Sequence, residues 1–154
     1  MKKVEIISEN NSYSAVNIGS LNDLSGHSLI HPKLNQKIEG KVFLKDSIKS
    51  TGTEISFQVL PPHTDLPYFH THKQNEEVYI VLKGEGLFQV DDDCFPVSEG
   101  SIVRIAPQGK RGLCNTSDLP LIYMVIQSKE NSLEQWSTGD GARVPVEAKW
   151  KKKR

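Results

Sequence analysis

Apolar and polar positions change character near residue 40. The first ~35 residues are polar and weakly patterned, with short apolar pieces at Val4–Ile7 and Val16–Ile18. Beyond them, short runs rich in Val, Ile, Phe and Tyr recur: Lys41–Lys45, Glu54–Leu60, Glu77–Leu82, Gly86–Val90, Ser101–Ile105 and Leu121–Gln127. Each has the length and residue types of a strand. Turn signals separate them. Gly84-Glu85-Gly86 can supply positive φ for a tight connection. Asp91-Asp92-Asp93 stands where a hairpin loop belongs, Glu99-Gly100 precedes the next strand, and Pro107-Gln108-Gly109 follows it. Strands this closely spaced, with no long helix between them, predict a sandwich or barrel rather than βαβ units. Only Asn131–Trp136 reads as helical.

The expectation is an all-β chain in three parts. An N-terminal extension covers 1–40, a barrel covers 41–130, and a C-terminal extension with a short helix covers 131–154. The run Lys151–Arg154 reads as a solvated basic tail. Glu77–Leu82 adds a constraint, because both of its alternating faces are apolar after the first residue. A strand with one wet face alternates. Its second face should be covered by the N-terminal segment or by another subunit, and a homodimer is expected.

Length and charge narrow the class. The chain has 154 residues, enough for one domain with its own core. Lys plus Arg and Asp plus Glu are both 19, so the net charge is zero. A dedicated nucleic-acid binder would carry a basic excess, so no nucleic-acid partner is expected. No apolar run reaches the roughly 20 residues needed to span a bilayer. Met1-Lys2-Lys3-Val4-Glu5 looks briefly like a signal n-region, but Ser8, Glu9, Asn10 and Asn11 leave no apolar h-region, so no signal peptide is expected either. Cys94 and Cys114 lack metal or redox spacing and read as reduced thiols of a cytoplasmic protein.

The densest chemistry lies between Pro61 and Gly86. His70 and His72 are two apart, so on a strand both imidazoles point to one face. Four residues then lead to Glu77, enough to turn a corner and begin the next strand. Two imidazoles and a carboxylate on one side form a facial set suited to Fe(II), and compatible with Mn, Zn or Ni. At neutral pH an ordinary imidazole is mostly unprotonated and free to bind a metal. The plainer alternative is a polar turn with no ligand role.

This segment resembles the first motif of the cupin superfamily: His-x-His, a spacer, Glu, six residues, Gly. Here it reads His70-Thr71-His72, Lys73 to Glu76, Glu77, Val78 to Lys83, Gly84. The family's usual upstream Gly is missing, and His63 or Thr64 stands near its place. A counterpart of the second motif follows: Gly100, six residues, Pro107-Gln108-Gly109, one residue, Arg111, three residues, Asn115. The resemblance covers about residues 52 to 127. It implies a double-stranded β-helix, or jelly-roll barrel, with a divalent metal ion (Zn, Fe, Mn or Ni) on His70, His72 and Glu77. It also implies a small-molecule ligand.

Arg111 departs from the family pattern, whose fourth ligand at that place is a His. A guanidinium stays protonated and cannot ligate a metal. Three readings stay open. The three remaining ligands suffice, His63 supplies the fourth, or metal binding is lost and Arg111 anchors an anionic ligand. Arg111 could also point outward or pair with an acid such as Glu77. Among other polar residues on predicted strands, Gln58 is a candidate ligand-binding residue. Tyr79 shares the face of Glu77 and is a candidate catalytic proton carrier. Gln74, Gln89 and Arg104 could also line the barrel. Cys114 lies near Arg111, whose charge could activate it. The resemblance implies functions as different as isomerases and dioxygenases. The expectation is a metal-dependent enzyme acting on a small sugar-like or carboxylate metabolite, with a non-catalytic binding module as the alternative.

Overall fold

The computed structural model describes residues 2–31, 35–137 and 139–150. The basic tail 151–154 lies outside them. In chain order the strands are β1 (Glu5–Asn10), β2 (Tyr13–Asn17), β3 (Ser28–Ile30), β4 (Lys37–Glu39), β5 (Lys41–Phe43), β6 (Thr53–Leu60), β7 (Thr64–Asp65), β8 (Asn75–Lys83), β9 (Glu85–Val90), β10 (Asp93–Ser98), β11 (Ile102–Ile105), β12 (Arg111–Asn115) and β13 (Leu121–Lys129). A 3₁₀ helix spans Leu21–Gly26, and a short helix, α1, spans Lys45–Ile48.

Two antiparallel sheets form an all-β barrel. One has the order β11-β8-β13-β6-β5 and the other β10-β9-β12-β7. Between them lies a core of Leu60, Tyr79, Val81, Phe88, Val97, Ile105, Leu113, Leu121, Tyr123 and Val125. The pleat assigns the faces. Even positions of β6 and odd positions of β8 and β13 turn inward. Cross-strand rows on the inner face therefore run Ile105–Glu77–Gln127–Glu54, Val103–Tyr79–Val125–Ser56–Phe43 and Val81–Tyr123–Gln58–Lys41. The outer face carries a second core. Leu24, Val42, Leu44 and Ile122 pack there with Val4, Ile18, Ile55, Phe57, Val59 and Leu82. N-terminal residues thus cover part of the apolar outer face to which Leu82 of β8 belongs.

The hairpin between β8 and β9 depends on Gly84. Its φ is +86°, and a Cβ there would lie 2.6 Å from the Pro120 carbonyl oxygen. Strand β5 ends at Phe43, short of the expected Lys45. Glu54 accepts hydrogen bonds from the backbone N–H groups of Leu44 and Lys45, both 2.9 Å, and so turns the chain into α1. Strand β10 contains Pro96, which a central strand would not tolerate. It lies at a sheet edge, where a missing N–H costs no ladder bond.

The expected helix at Asn131–Trp136 is not formed. Leu133 and Trp136 are 73% and 84% exposed, so the segment buries no face. So short a helix cannot offset its nucleation cost without packing. No helix in the described residues is long and apolar enough to cross a membrane.

Asn115 fastens the end of β12 to the end of β6. Its buried Nδ2 faces the carbonyls of Leu60 (3.0 Å), Pro61 (3.0 Å) and Leu119 (2.8 Å). Its Oδ1 accepts from the Ser117 backbone N–H at 3.0 Å. Asn115→Leu removes these bonds and leaves several carbonyls unsatisfied. The expected loss is about 2–4 kcal/mol in urea unfolding, and a change within 0.5 kcal/mol would contradict this role.

Candidate metal centre

The site forms where the segment carrying His70 and His72 crosses beside β12. The backbone N–H of Arg111 donates to the His70 carbonyl at 3.2 Å, and that of His72 to the Pro107 carbonyl at 2.8 Å. These bonds set the segment along the four-stranded sheet with His70 opposite Arg111. Glu77 comes from the facing sheet, at the inner end of β8. His72 Nε2 lies 3.1 Å from Glu77 Oε1, and His70 Nε2 lies 3.7 Å from Glu77 Oε2. One ligand atom from each of the three residues falls within 4.8 Å of the others. The sequence expectation placed these three side chains together, and they are together.

Arg111 points inward and is fully buried. Its Nε and Nη2 donate to Glu77 Oε2 at 2.9 and 2.8 Å. Its Nη1 donates to the carbonyls of Gly109 at 2.9 Å and His70 at 3.2 Å. The pairing with Glu77 is the arrangement found. The guanidinium is committed to protein acceptors, which corrects the expectation that it anchors an anionic ligand. Its cation neutralises Glu77 and fixes the carboxylate plane, while Oε1 remains turned toward His72.

Tyr79 lies beneath this pair, 4% exposed, and its hydroxyl donates to Glu77 Oε2 at 3.1 Å. Burial, together with the Glu77 charge, raises its pKa far above that of an ordinary phenol. In this structure the Tyr79 hydroxyl acts as a hydrogen-bond donor to Glu77. Gln58 is buried on the inner face in the row between Tyr123 and Lys41. His63 is held at 2.8 Å by Asp118 on the exposed surface and does not join the ligand group. Arg104 pairs outside the barrel with Glu76 and Glu130. Gln89 turns away from the core and bonds the Asp91 carbonyl, and Gln74 is exposed. A hydrogen bond with Asp65, then burial, pushes the Cys114 thiol up to about 11, so it is not activated.

Two residues at the site escaped the sequence reading. Gln127 ends the inner face of β13 and brings Nε2 to 2.9 Å from His72 Nε2 and 3.4 Å from Glu77 Oε1. Lys41 stands on the inner face at the β5 edge. Two-residue alternation extended along β13 from Tyr123 would have reached Gln127. Lys41 becomes visible only once its register against Gln58 is known.

The electrostatics suit a cation. Burial opposes charge on Glu77, but hydrogen bonds from His72 and Arg111 and the Arg111 charge outweigh it and hold the carboxyl down to about 2. Burial, then the Arg111 cation, lower His70 to about 4. At neutral pH the centre therefore offers an ionised carboxylate and an unprotonated His70 imidazole.

Comparisons with known proteins agree with this architecture. The model of the cupin domain family matches residues 56–127. A cupin protein of known structure from Bacteroides fragilis is 40% identical, with a TM-score of 0.66 over 68% of this chain and 89% of that one. A predicted oxalate decarboxylase from Thermotoga maritima shares the fold at 21% identity and a TM-score of 0.53, over 62% of this chain and 83% of that one. An uncharacterized protein of Methanocaldococcus jannaschii is 27% identical over 93 residues, 60% of this chain. The chain spans 63% of that curated relative's length. The chain belongs to the cupin superfamily.

The His70 shift has a definite sign. The folded protein resists a proton that the unfolded chain accepts below about pH 6.5. Stability from His70 is therefore complete above that pH and is lost as the pH falls toward about 4. In metal-free protein, thermal melts at pH 7 and 4.5 should show a loss that His70→Phe reduces by about 2 kcal/mol. Identical pH slopes in the two proteins would contradict the assignment.

Proposed function

We propose that this cupin is an enzyme that binds a divalent metal ion through His70, His72 and Glu77 and acts on a small polar metabolite at that centre. The observation that carries the reading is the convergence of three ligand atoms within 4.8 Å at the inner end of the barrel. The residues present fit the ion. His70 Nδ1 is buried without a hydrogen-bond partner among the described residues, so no protein group claims that nitrogen. Glu77 keeps one oxygen free of Arg111. Two imidazoles and a carboxylate suit Fe(II), Mn, Zn or Ni.

A bound ion of this kind supplies Lewis acidity to a substrate oxygen. The chain's own residues do the rest. Arg111 and Tyr79 hold Glu77 ionised and correctly turned. Gln127 is placed to meet a ligand beside His72, since its side-chain amide offers both a donor and an acceptor. With the second-motif His replaced, open positions remain for substrate. A carboxylate is the substrate class named for the Thermotoga maritima protein. The likeness there is one of fold, and the case for this chain rests on its own side chains.

The test is metal content by plasma mass spectrometry on untagged protein, beside a His70→Ala/His72→Ala double variant. Near-stoichiometric metal is expected in the wild type and its loss in the variant. No metal after reconstitution with Fe(II), Mn(II), Zn(II) or Ni(II) would overturn the metalloenzyme reading and leave the non-catalytic binding module.

The same reading takes a second copy of this cytoplasmic chain as partner. It is supported by Ile102, 67% exposed on the outer face beside Ile80 of β8. Light scattering should give a dimer mass that Ile102→Glu halves; a monomeric wild type at micromolar concentration would refute it.

A further inference from the structure

We propose that Lys41 is the anion-binding residue of this site, and that the metabolite carries a carboxylate or phosphate group set against its ammonium. This deepens the reading above and takes from it the place of the ligand.

Sheet register puts Lys41 inside. It is opposite Gln58, which is opposite Tyr123 of the barrel core. Val42, the next residue, packs in the outer core, so Lys41 faces the other way. The β5 strand is the edge of its sheet, and Phe43 on the same inner face is 51% exposed. That edge is open to solvent, and a ligand can approach along it.

The ammonium is half-buried and lies 4.9 Å above the Phe43 ring. Among the described residues no carboxylate is within ion-pair distance of it. The carboxylates that act on it at longer range are Glu77 and Glu54. Glu77 is bound by Arg111, and Glu54 by the backbone at Leu44 and Lys45. With Glu77 bonded to Arg111 and Glu54 to the backbone, the half-buried ammonium makes no direct ion pair of its own. Burial lowers its pKa to about 8, which leaves it mostly protonated at neutral pH. Its charge also acts on His70, so it stands within electrostatic reach of the centre. A ligand oxyanion placed there would give the ammonium a direct ion pair, in the role that Arg111 cannot fill.

The experiment measures calorimetric binding of malonate, inorganic phosphate and the neutral polyol xylitol to the full chain. Wild type, Lys41→Met, Lys41→Gln and Lys41→Arg are compared, each with circular dichroism and metal content recorded. Malonate, phosphate or both should bind the wild type, which identifies the preferred oxyanion. Affinity should fall about tenfold or more in Lys41→Met and Lys41→Gln and stay within about threefold in Lys41→Arg. Xylitol binding should not move. Equal oxyanion affinity in wild type and folded Lys41→Met or Lys41→Gln, or no oxyanion binding by the wild type, would overturn the proposal. Lys41-dependent binding in protein that holds no metal would support it while refuting the metal reading. Equal metal content in all variants with unchanged oxyanion affinity would do the reverse.

Discussion

The buried contact between Arg111 and Glu77 is what the rest of the site depends on. The two residues come from different sheets, Arg111 from β12 and Glu77 from β8. Taking both charges out of water costs several kcal/mol per ion, which Coulomb attraction offsets only when the remaining donors and acceptors are also satisfied. Here they are. One carboxylate oxygen accepts from Nε and Nη2 of Arg111 and from the Tyr79 hydroxyl. The opposite edge of the guanidinium donates to the His70 and Gly109 carbonyls. One side chain therefore joins β8, the histidine segment and the turn before β12, and helps set how far apart the three candidate ligands stand.

This arrangement changes what position 111 does. A histidine there would donate a lone pair to a metal. The arginine instead donates hydrogen bonds to a ligand residue, orienting it and compensating its charge. The cluster loses one donor atom and gains rigidity in another. Glu77 would meet an ion already partly neutralised, so a metal proposed here would be bound more weakly, with more positions open to other molecules.

Much of this was legible in the residue pattern, because strand alternation and short turns encode local structure directly. His70, His72 and Glu77 were readable since spacing alone puts two imidazoles on one face and a carboxylate at the next strand's start. Strand β10 was harder, because Pro96 is excluded from a strand only where a neighbouring strand needs its N–H, and edge status is a property of topology. The segment after β13 carries helix-compatible residues yet finds no surface to pack on. Arg111 and Lys41 share a different obstacle. Their roles depend on which residue lies across the sheet or barrel, and local pattern does not contain that register.

On the proposed reading, charge inside the barrel favours one of the two substrate classes that the residue pattern left open. Glu77 and Arg111 cancel, and burial and the Arg111 cation keep His70 neutral. What remains on the inner wall is the Lys41 ammonium together with the Glu54 carboxylate, and a divalent ion at the proposed centre would add two positive charges. In a partly desolvated space such an excess disfavours a neutral sugar, which brings dipoles but no charge. A carboxylate or phosphate compensates it. One oxyanion can face the ammonium while another substrate oxygen meets the metal position. On the proposed reading, the charge that would weaken metal binding at Glu77 would strengthen anion binding along the same wall, and an anionic metabolite is the ligand that would satisfy both.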